Sequence, residues 1–301
     1  MTRSPEIATV AVIGTGVVGR SWAMVFARAG CRTRLYDRDT GQAAKAAELL
    51  LPWQENVSVH TDLASALEGA GYVQESGPES LEVKRQMFRD LDLAGDPATI
   101  LASSTSAFDM SGIAEGLPGA RRCIVAHPVN PPHVIPAVEV LSGVATDPDV
   151  LERTCAFLRS VGQTPVRLRK YIHGFLLNRM QFALVREAIS LFEQGVAELD
   201  DIDAVIRDGL GLRWALMGPF AVANTNADGG IRQYLTGHEQ WLMELMDGLG
   251  TTPQVDAGLI ARLGDALDGT PGSARRAELR AWRDRMIARI LELKRKEPPP
   301  R

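Results

Sequence analysis

Residues 8–37 read ATVAVIGTGVVGRSWAMVFARAGCRTRLYD and contain the succession of strand, turn, helix and strand that decides the fold. The apolar, β-branched run at 8–13 is typical of a central parallel strand that is buried on both faces. An apolar helical face follows at 21–28 and ends at Gly30, after which 31–36 predicts a second strand. The segment therefore predicts one β-α-β unit.

Strand and helix patterns continue to alternate up to about Lys170, and only helical patterns follow. The alternation predicts an α/β domain built on a Rossmann-type, doubly wound sheet, followed by an all-helical C-terminal domain. We place the dinucleotide-binding domain at 1–172 and the helical substrate and dimerisation domain at 173–301. Further strands are predicted at 57–60, 72–74, 99–102, 123–126, 139–141 and 164–168, and further helices at 81–91, 151–161, 175–195, 199–209 and 275–294.

Composition argues for a small-molecule partner. The 33 basic and 37 acidic residues give a net charge of -4, so no strong positive field points to nucleic acid or to an anionic membrane. The 3 cysteines are far apart, and the acids at 200–208 follow helical spacing, so we expect no metal site. The apolar run at 8–13 is too short for a signal peptide or a membrane span, and we expect a cytoplasmic protein.

The glycines at the end of the first strand fit the dinucleotide-binding pattern G-x-G-x-x-G. The first glycine permits a tight turn, the second admits the pyrophosphate, and the third lets helix and strand pack closely. The helix that follows presents free N–H groups and a positive dipole end to the same anion. The expected cofactor contacts are Gly14, Gly16, Val17, Val18 and Gly19.

Asp37 ends the second strand about 20 residues after these glycines, where a carboxylate accepts hydrogen bonds from both ribose hydroxyls. The same charge repels the 2′-phosphate of NADP, so the sequence favours NAD. Arg38 follows directly and softens this preference.

Three polar clusters lie at the ends of predicted elements and contain Ser106, His127 and Asn178. Open α/β sheets bind ligands at the carboxyl ends of their strands, which is where Ser106 and His127 are expected. Alcohol oxidation needs a base, and histidine serves that role near neutral pH. Glu139 is an acid inside an apolar strand and is a candidate partner for the base. Each residue also has a structural interpretation. His127 fits a structural histidine, Glu139 fits a strand acid that faces the surface, and Ser106 and Asn178 fit helix caps.

These residues together resemble the 3-hydroxyacyl-CoA dehydrogenase superfamily, and within it the lambda-crystallin branch, which includes L-gulonate 3-dehydrogenase. The resemblance implies that His127 is the general base, that Glu139 holds it, and that Ser106 and Asn178 bind the reacting oxygen. It also implies that Glu79 and Lys84 lie along the cofactor and that the helical domain forms a homodimer. Its motifs are GTGVVGRSWAMVFA from Gly14, LYDRD from Leu35, SSTS from Ser103, IVAHPVNPP from Ile124, PAVEV from Pro136, GFLLNRMQ from Gly174 and GLGLRWALMGP from Gly209.

Two features favour a small free hydroxy acid over a CoA thioester. The relatives that bind acyl-CoA carry a long helical hairpin after the second strand, whereas 38–56 has room for one short helix. Arg213 stands where those relatives have an uncharged residue, and a guanidinium suits a carboxylate. The resemblance therefore implies NAD-dependent oxidation of L-gulonate to 3-dehydro-L-gulonate.

Three alternatives stay open at this point. The same residues also fit an L-3-hydroxyacyl-CoA dehydrogenase, an L-carnitine 3-dehydrogenase, or a crystallin-like structural protein that binds NADH without turnover. Carnitine requires an aromatic cage for its quaternary ammonium, and Trp214 by itself does not establish one. Arg213 also fits an interface or surface position.

Overall fold

The computed structural model describes residues 7–267 and 273–298. The chain forms two compact units, which divide between Arg179 and Met180. The functional domain boundary predicted at residue 172 stays a prediction.

The first unit is built on one mixed sheet. Within the described residues it has 8 strands in the order β3-β2-β1-β4-β5-β6-β7-β8, and all neighbouring pairs are parallel except β6 and β7. The strands are β1 (Thr9–Ile13), β2 (Arg32–Tyr36), β3 (Val57–His60), β4 (Tyr72–Glu75), β5 (Ile100–Ser103), β6 (Cys123–Pro128), β7 (Ala137–Ser142) and β8 (Thr164–Arg167).

Helices cover both faces of this sheet, because its central strands are apolar on both sides. On β1, Val10 and Val12 belong to one buried cluster and Ala11 and Ile13 to the other, as the two-residue period of a strand requires. The α-helices are α1 (Val17–Arg28), α2 (Thr40–Glu48), α3 (Leu63–Leu67), α4 (Leu81–Ala94), α5 (Met110–Ile113) and α6 (Pro148–Ser160).

The predicted alternation of strands and helices breaks between β6 and β7. These two strands are antiparallel and are joined by residues 129–136, a connection without a helix. A parallel crossover needs a dozen or more residues, whereas a short connection returns the chain antiparallel. The return places Glu139 directly opposite His127 in the strand register.

From Phe175 onwards the described parts of the chain contain helices and no strands, which confirms the predicted α/β and all-helical fold class. None of the helices in residues 7–267 and 273–298 is long and apolar enough to cross a membrane. The helices are α7 (Phe175–Glu193), α8 (Leu199–Ala204), α9 (Gly211–Trp214), α10 (Pro219–Thr225), α11 (Gly230–Gly237), α12 (Glu239–Asp247), α13 (Ala257–Leu267) and α14 (Ser273–Lys296), with a π-helical stretch at Val205–Leu210.

Candidate active site

The glycine turn between β1 and α1 has little room for side chains at two of its three glycines. Gly14 has a φ of +89°, and a Cβ there would lie 2.8 Å from the backbone carbonyl of Ser76. A Cβ on Gly19 would lie 1.8 Å from the carbonyl oxygen of Gly14. At Gly16, in contrast, a Cβ would meet nothing within 4 Å. Gly14 and Gly19 therefore pack closely against the protein backbone, whereas Gly16 leaves free space where a phosphate has to approach.

A cavity of about 450 Å³ opens beside this turn. The residues that line it include Gly14, Gly16, Asp37 and Gly77. Val17 and Val18 begin α1, which has no acidic residue in its first turn to compete for an anion. The open glycine, the helix terminus and the carboxylate-lined wall fit the adenosine and pyrophosphate of NAD.

The Asp37 carboxylate is held by the glycine turn itself. Its Oδ2 accepts hydrogen bonds from the backbone N–H and the hydroxyl of Thr15, at 2.7 and 2.9 Å. Its Oδ1 accepts from the backbone N–H of Asp39 at 3.0 Å. These bonds fix the side chain at the cavity wall, as a ribose acceptor requires. Arg38 is exposed there and lies 3.9 Å from Asp90.

Lys84 is buried within the first unit and is paired with two carboxylates. Its side chain is 1% exposed, and its Nζ lies 3.0 Å from Glu75 Oε1 and 3.4 Å from Glu79 Oε2. Glu75 is itself 0% exposed and also accepts from the backbone N–H of Gly77 at 2.6 Å. A buried charge left alone is very costly, so each member of this network depends on the others.

Glu79 connects the network to the segment that carries Ser106. Its Oε1 accepts from the Thr105 hydroxyl at 2.6 Å and from the backbone N–H groups of Ser106 and Ala107 at 2.9 and 3.1 Å. Burial acts to raise the pKa of Glu79, but these hydrogen bonds and the charge of Lys84 outweigh it and hold the pKa below its ordinary value. Glu79 therefore orders the Ser106 segment as an ionised carboxylate.

His127 and Glu139 are in direct contact. His127 Nδ1 lies 2.8 Å from Glu139 Oε2, and the two residues are 7% and 4% exposed. Burial acts to raise the pKa of Glu139, but hydrogen bonds from His127 and from the backbone N–H groups of Leu177 and Leu176 lower it overall. An ionised carboxylate only accepts hydrogen bonds, so Nδ1 is the donor in this contact, and in the neutral tautomer that makes it Nε2 is the nitrogen free to accept a proton.

Asn178 lies in the first turn of α7, beside the groups that bind Glu139. Glu139 Oε1 accepts from the backbone N–H groups of Leu176 and Leu177 at 2.8 and 2.9 Å. The first N–H groups of a helix have no partner within the helix, and they favour a negative charge. Glu139 therefore anchors both the histidine and the start of the helix that carries Asn178.

Arg213 lies on α9 in the second unit, where it is exposed. Its predicted contact with the substrate carboxylate stays a prediction, as do the assigned roles of Ser106 and Asn178. Among the described residues, no group of three or more His, Cys, Asp or Glu side chains is arranged to hold a metal.

The sequence interpretation missed Glu75, Thr15 and Phe175. Glu75 has a signal in the sequence, because it is an acid that directly continues the apolar strand predicted at 72–74. Thr15 stands inside the glycine motif as an unspecified position. The ring of Phe175 lies 5.3 Å from that of His127, yet the residue reads as an ordinary apolar position of a helix.

Residues 9–171 match the family described as 3-hydroxyacyl-CoA dehydrogenase, NAD binding domain, and residues 174–252 match the family described as its C-terminal domain. Lambda-crystallin of Oryctolagus cuniculus is 37% identical over 98% of this chain and 99% of that protein. L-carnitine dehydrogenase of Streptomyces griseus subsp. griseus is 34% identical over 95% of this chain and 90% of that protein.

A crystal structure with the same architecture is that of 5-formyl-3-hydroxy-2-methylpyridine 4-carboxylic acid 5-dehydrogenase, described as an NAD+-dependent dismutase. It superposes with a TM-score of 0.83 at 26% identity and covers 95% of this chain and 98% of that chain. The two matched families together span both parts of the chain, and the first of them is an NAD-binding domain. The chain is therefore an NAD-dependent oxidoreductase that belongs to the 3-hydroxyacyl-CoA dehydrogenase family.

Proposed function

We propose that this protein oxidises the 3-hydroxyl of a small free hydroxy acid, L-gulonate to 3-dehydro-L-gulonate, with His127 as the general base. The observation that carries the proposal is the buried contact of 2.8 Å between His127 Nδ1 and Glu139 Oε2. A base needs one fixed tautomer, and a charged acceptor on Nδ1 supplies it.

The chemistry divides between the cofactor and these side chains. NAD, when bound, would supply the acceptor for the hydride of the carbinol carbon. His127 Nε2 takes the hydroxyl proton as the hydride leaves the carbon, so that the C–O single bond becomes a carbonyl and the imidazole becomes imidazolium. Glu139 stabilises this positive charge across the hydrogen bond. Ser106 and Asn178 are proposed to hydrogen-bond the reacting oxygen.

The connection after β2 supports a free acid over a CoA thioester. Only α2, of 9 residues, and a 3-10 stretch at Leu51–Asn56 lie between β2 and β3 in the described chain. This matches the expectation of one short helix in place of the long hairpin of relatives that bind acyl-CoA. The similar crystal structure at a TM-score of 0.83 is, by its description, a dehydrogenase of a carboxylic acid. Arg213 is the proposed partner of the substrate carboxylate.

L-Carnitine is the second candidate substrate. Its support is the 34% identity to an L-carnitine dehydrogenase over 95% of the chain. Carnitine is also a 3-hydroxy acid, so the same base and the same carboxylate anchor serve it. The difference lies at its quaternary ammonium, which needs aromatic faces that are open to the ligand. Trp214, next to Arg213, is the side chain that we propose to test for this role.

A substrate panel tests these assignments. Purified protein is incubated with NAD and L-gulonate, L-carnitine, L-3-hydroxybutyrate or L-3-hydroxybutyryl-CoA, and NADH is followed by its absorbance. We expect turnover of a free acid, with L-gulonate fastest. Turnover of the thioester alone contradicts the assigned substrate class but leaves the base and cofactor in place. NADH binding without turnover of any hydroxy acid favours a crystallin-like structural role.

Replacement of His127 tests the base directly. We expect His127→Gln to lower kcat by about 10³-fold while NADH binds with unchanged affinity, since general-base catalysis contributes about 10²–10⁴-fold. Near-normal kcat in this variant would remove the base assignment and leave only the cofactor site.

We also propose that the helical part of the chain forms a homodimer. It exposes large apolar side chains, including Met180, Phe182 and Phe220 at 60%, 62% and 80% exposure. Exposed apolar surface on this scale is typical of an interface. Sedimentation of the purified protein tests the proposal, and a monomer at micromolar concentration contradicts it.

A further inference from the structure

Phe175 has a backbone conformation that is unusual for its residue type. Its φ is +48°, and among the described residues it is the only one besides glycines with a positive φ. An L-residue in this region is strained, because its Cβ crowds the neighbouring backbone. The side chain is also 0% exposed. The surroundings of Phe175 must therefore hold it in a conformation that the free chain avoids.

The backbone at Phe175 sets the direction in which α7 starts. Its own N–H donates to the carbonyl of Ile172 at 2.9 Å, which closes a turn just before the helix. The next two N–H groups, of Leu176 and Leu177, donate to Glu139 Oε1 at 2.8 and 2.9 Å. The left-handed residue thus turns the chain so that the helix begins with its free N–H groups facing the carboxylate.

The ring of Phe175 packs against the other member of the pair. Its centroid lies 5.3 Å from that of His127, with an angle of 53° between the planes. On another side it meets Tyr171 edge to face, at 6.0 Å and 85°. The Tyr171 hydroxyl donates to the carbonyl of Ala107 at 2.8 Å, next to Ser106. One aromatic contact chain therefore connects the histidine to the segment that carries Ser106.

We propose that Phe175 is a positioning residue for the His127–Glu139 pair. Its backbone aims two N–H groups at Glu139, and its ring restricts the imidazole of His127. Either the backbone geometry or the ring contact, taken alone, fits an ordinary core position. Positioning explains why a strained, fully buried residue contacts both members of the pair, one through the backbone that follows it and the other through its ring. The inference rests on the proposed role of His127 as the base.

The alternative is that Phe175 only fills the core. It belongs to one of the two buried clusters of the first unit, and a role in packing alone predicts a loss of stability without a specific loss of turnover. Phe157 provides the matched control, because it is a phenylalanine at 2% exposure that packs in the other cluster, against Phe26 and Tyr72.

The test compares Phe175→Leu with Phe157→Leu. We expect Phe175→Leu to lower kcat by about 10–100-fold, as displacement of a catalytic group by up to an ångström does, with the affinity for NADH within about twofold of the parent. Phe157→Leu should lower the denaturation midpoint by a similar amount and leave kcat within about threefold. Equal kcat values in the two variants would overturn the proposal.

A double variant separates positioning from packing. If the ring of Phe175 acts through His127, then Phe175→Leu should reduce the remaining kcat by less than about threefold when His127→Gln is already present. The same loss in both backgrounds means that Phe175 acts elsewhere, and overturns the proposal.

A chemical readout keeps the inference testable without turnover. The His127 side chain is 8% exposed, and Phe175 shields its ring. Diethyl pyrocarbonate should therefore modify His127 several-fold faster in Phe175→Leu than in the parent or in Phe157→Leu, as measured by mass spectrometry. If Phe175→Leu does not fold, Phe175→Met, which keeps more of the volume, takes its place. Unchanged modification rates would overturn the proposal that Phe175 restricts His127, whether or not a substrate is found. Faster modification in a protein that oxidises none of the tested hydroxy acids would contradict only the proposed function.

Discussion

Replacing Glu139 by glutamine tests the centre of the proposed site with an almost isosteric change. Glu139 is surrounded by donors, namely His127 Nδ1 and the backbone N–H groups of Leu176 and Leu177 at 2.8, 2.8 and 2.9 Å. A carboxylate accepts from all three. A glutamine has one acceptor oxygen, so its NH2 group must face at least one of these three donors. Of the three, only His127 can become an acceptor, by moving its proton to the other ring nitrogen. If the oxygen keeps the two backbone bonds, the amide turns His127 into the tautomer with the proton on Nε2.

The expected magnitude follows from these contacts. A histidine held in the wrong tautomer cannot accept the substrate proton, and general-base catalysis contributes about 10²–10⁴-fold, so we expect kcat to fall by about 10³-fold, or about 4 kcal/mol of barrier. The two backbone hydrogen bonds change from charged to neutral acceptors, which weakens each by about 1 kcal/mol. We therefore expect the free energy of unfolding to fall by about 2 kcal/mol.

The assay is kcat from NADH absorbance, with NADH affinity from fluorescence and stability from urea denaturation. Glu152→Gln is the control, since its carboxylate is exposed and pairs with Arg167 on the surface. We expect that control to keep the activity and stability of the parent. A kcat of Glu139→Gln within about threefold of the parent refutes the reasoning, because the carboxylate then does not set the tautomer of His127.

The same substitution has a pH signature. The pKa of Glu139 lies below its ordinary value of 4.5 in the folded protein, because hydrogen bonds to the charged form outweigh burial. The carboxylate therefore stabilises the fold above pH 4.5, and this contribution is lost as the pH falls through the lowered folded pKa. We expect the parent to lose more stability on acidification than Glu139→Gln. Equal slopes for the two proteins contradict the lowered pKa.

Three further predictions follow from other parts of the first unit. Asp37→Ala should lower kcat/KM for NAD by about 10²-fold and that for NADP far less, because two hydrogen bonds to ribose at about 1.5 kcal/mol each are lost; an unchanged NAD to NADP ratio contradicts this role. Phe175→Gly should be about 1 kcal/mol more stable to urea than Phe175→Ala, because only glycine adopts a φ of +48° without strain; an alanine variant of equal stability argues against it. Burial raises the pKa of the Cys31 thiol to about 11 and that of Cys123 to about 12, so neither should react with Ellman's reagent at neutral pH until the protein is denatured.

Much of the fold was predictable, because the signals for its elements are local. The apolar run at 8–13 predicted a buried central strand, and β1 is buried at every residue from Thr9 to Ile13. The glycine motif predicted a turn with one open position, and Gly16 has nothing within 4 Å of its Cβ position. These features depend on the period of the chain and on the allowed backbone angles of glycine, which short segments carry by themselves.

The antiparallel return of β7 was not predicted, although the candidate base and acid were. The pattern at 139–141 predicts a strand of either direction, because a strand buried on both faces carries no signal for the direction of its neighbour. Only the pairing with β6 decides that Glu139 stands opposite His127.

The sequence by itself determined the order of the strands along the chain, the dinucleotide motif and the residue types that can supply a base and its carboxylate. The tertiary structure alone decided that Glu75 pairs with Lys84 and that Glu139 also accepts hydrogen bonds from N–H groups in the first turn of α7. It also decided that Phe175 adopts a φ of +48°. The reason is physical. Propensity and periodicity act over a few residues, whereas a buried ion pair or a strained backbone angle persists only when distant segments pack around it.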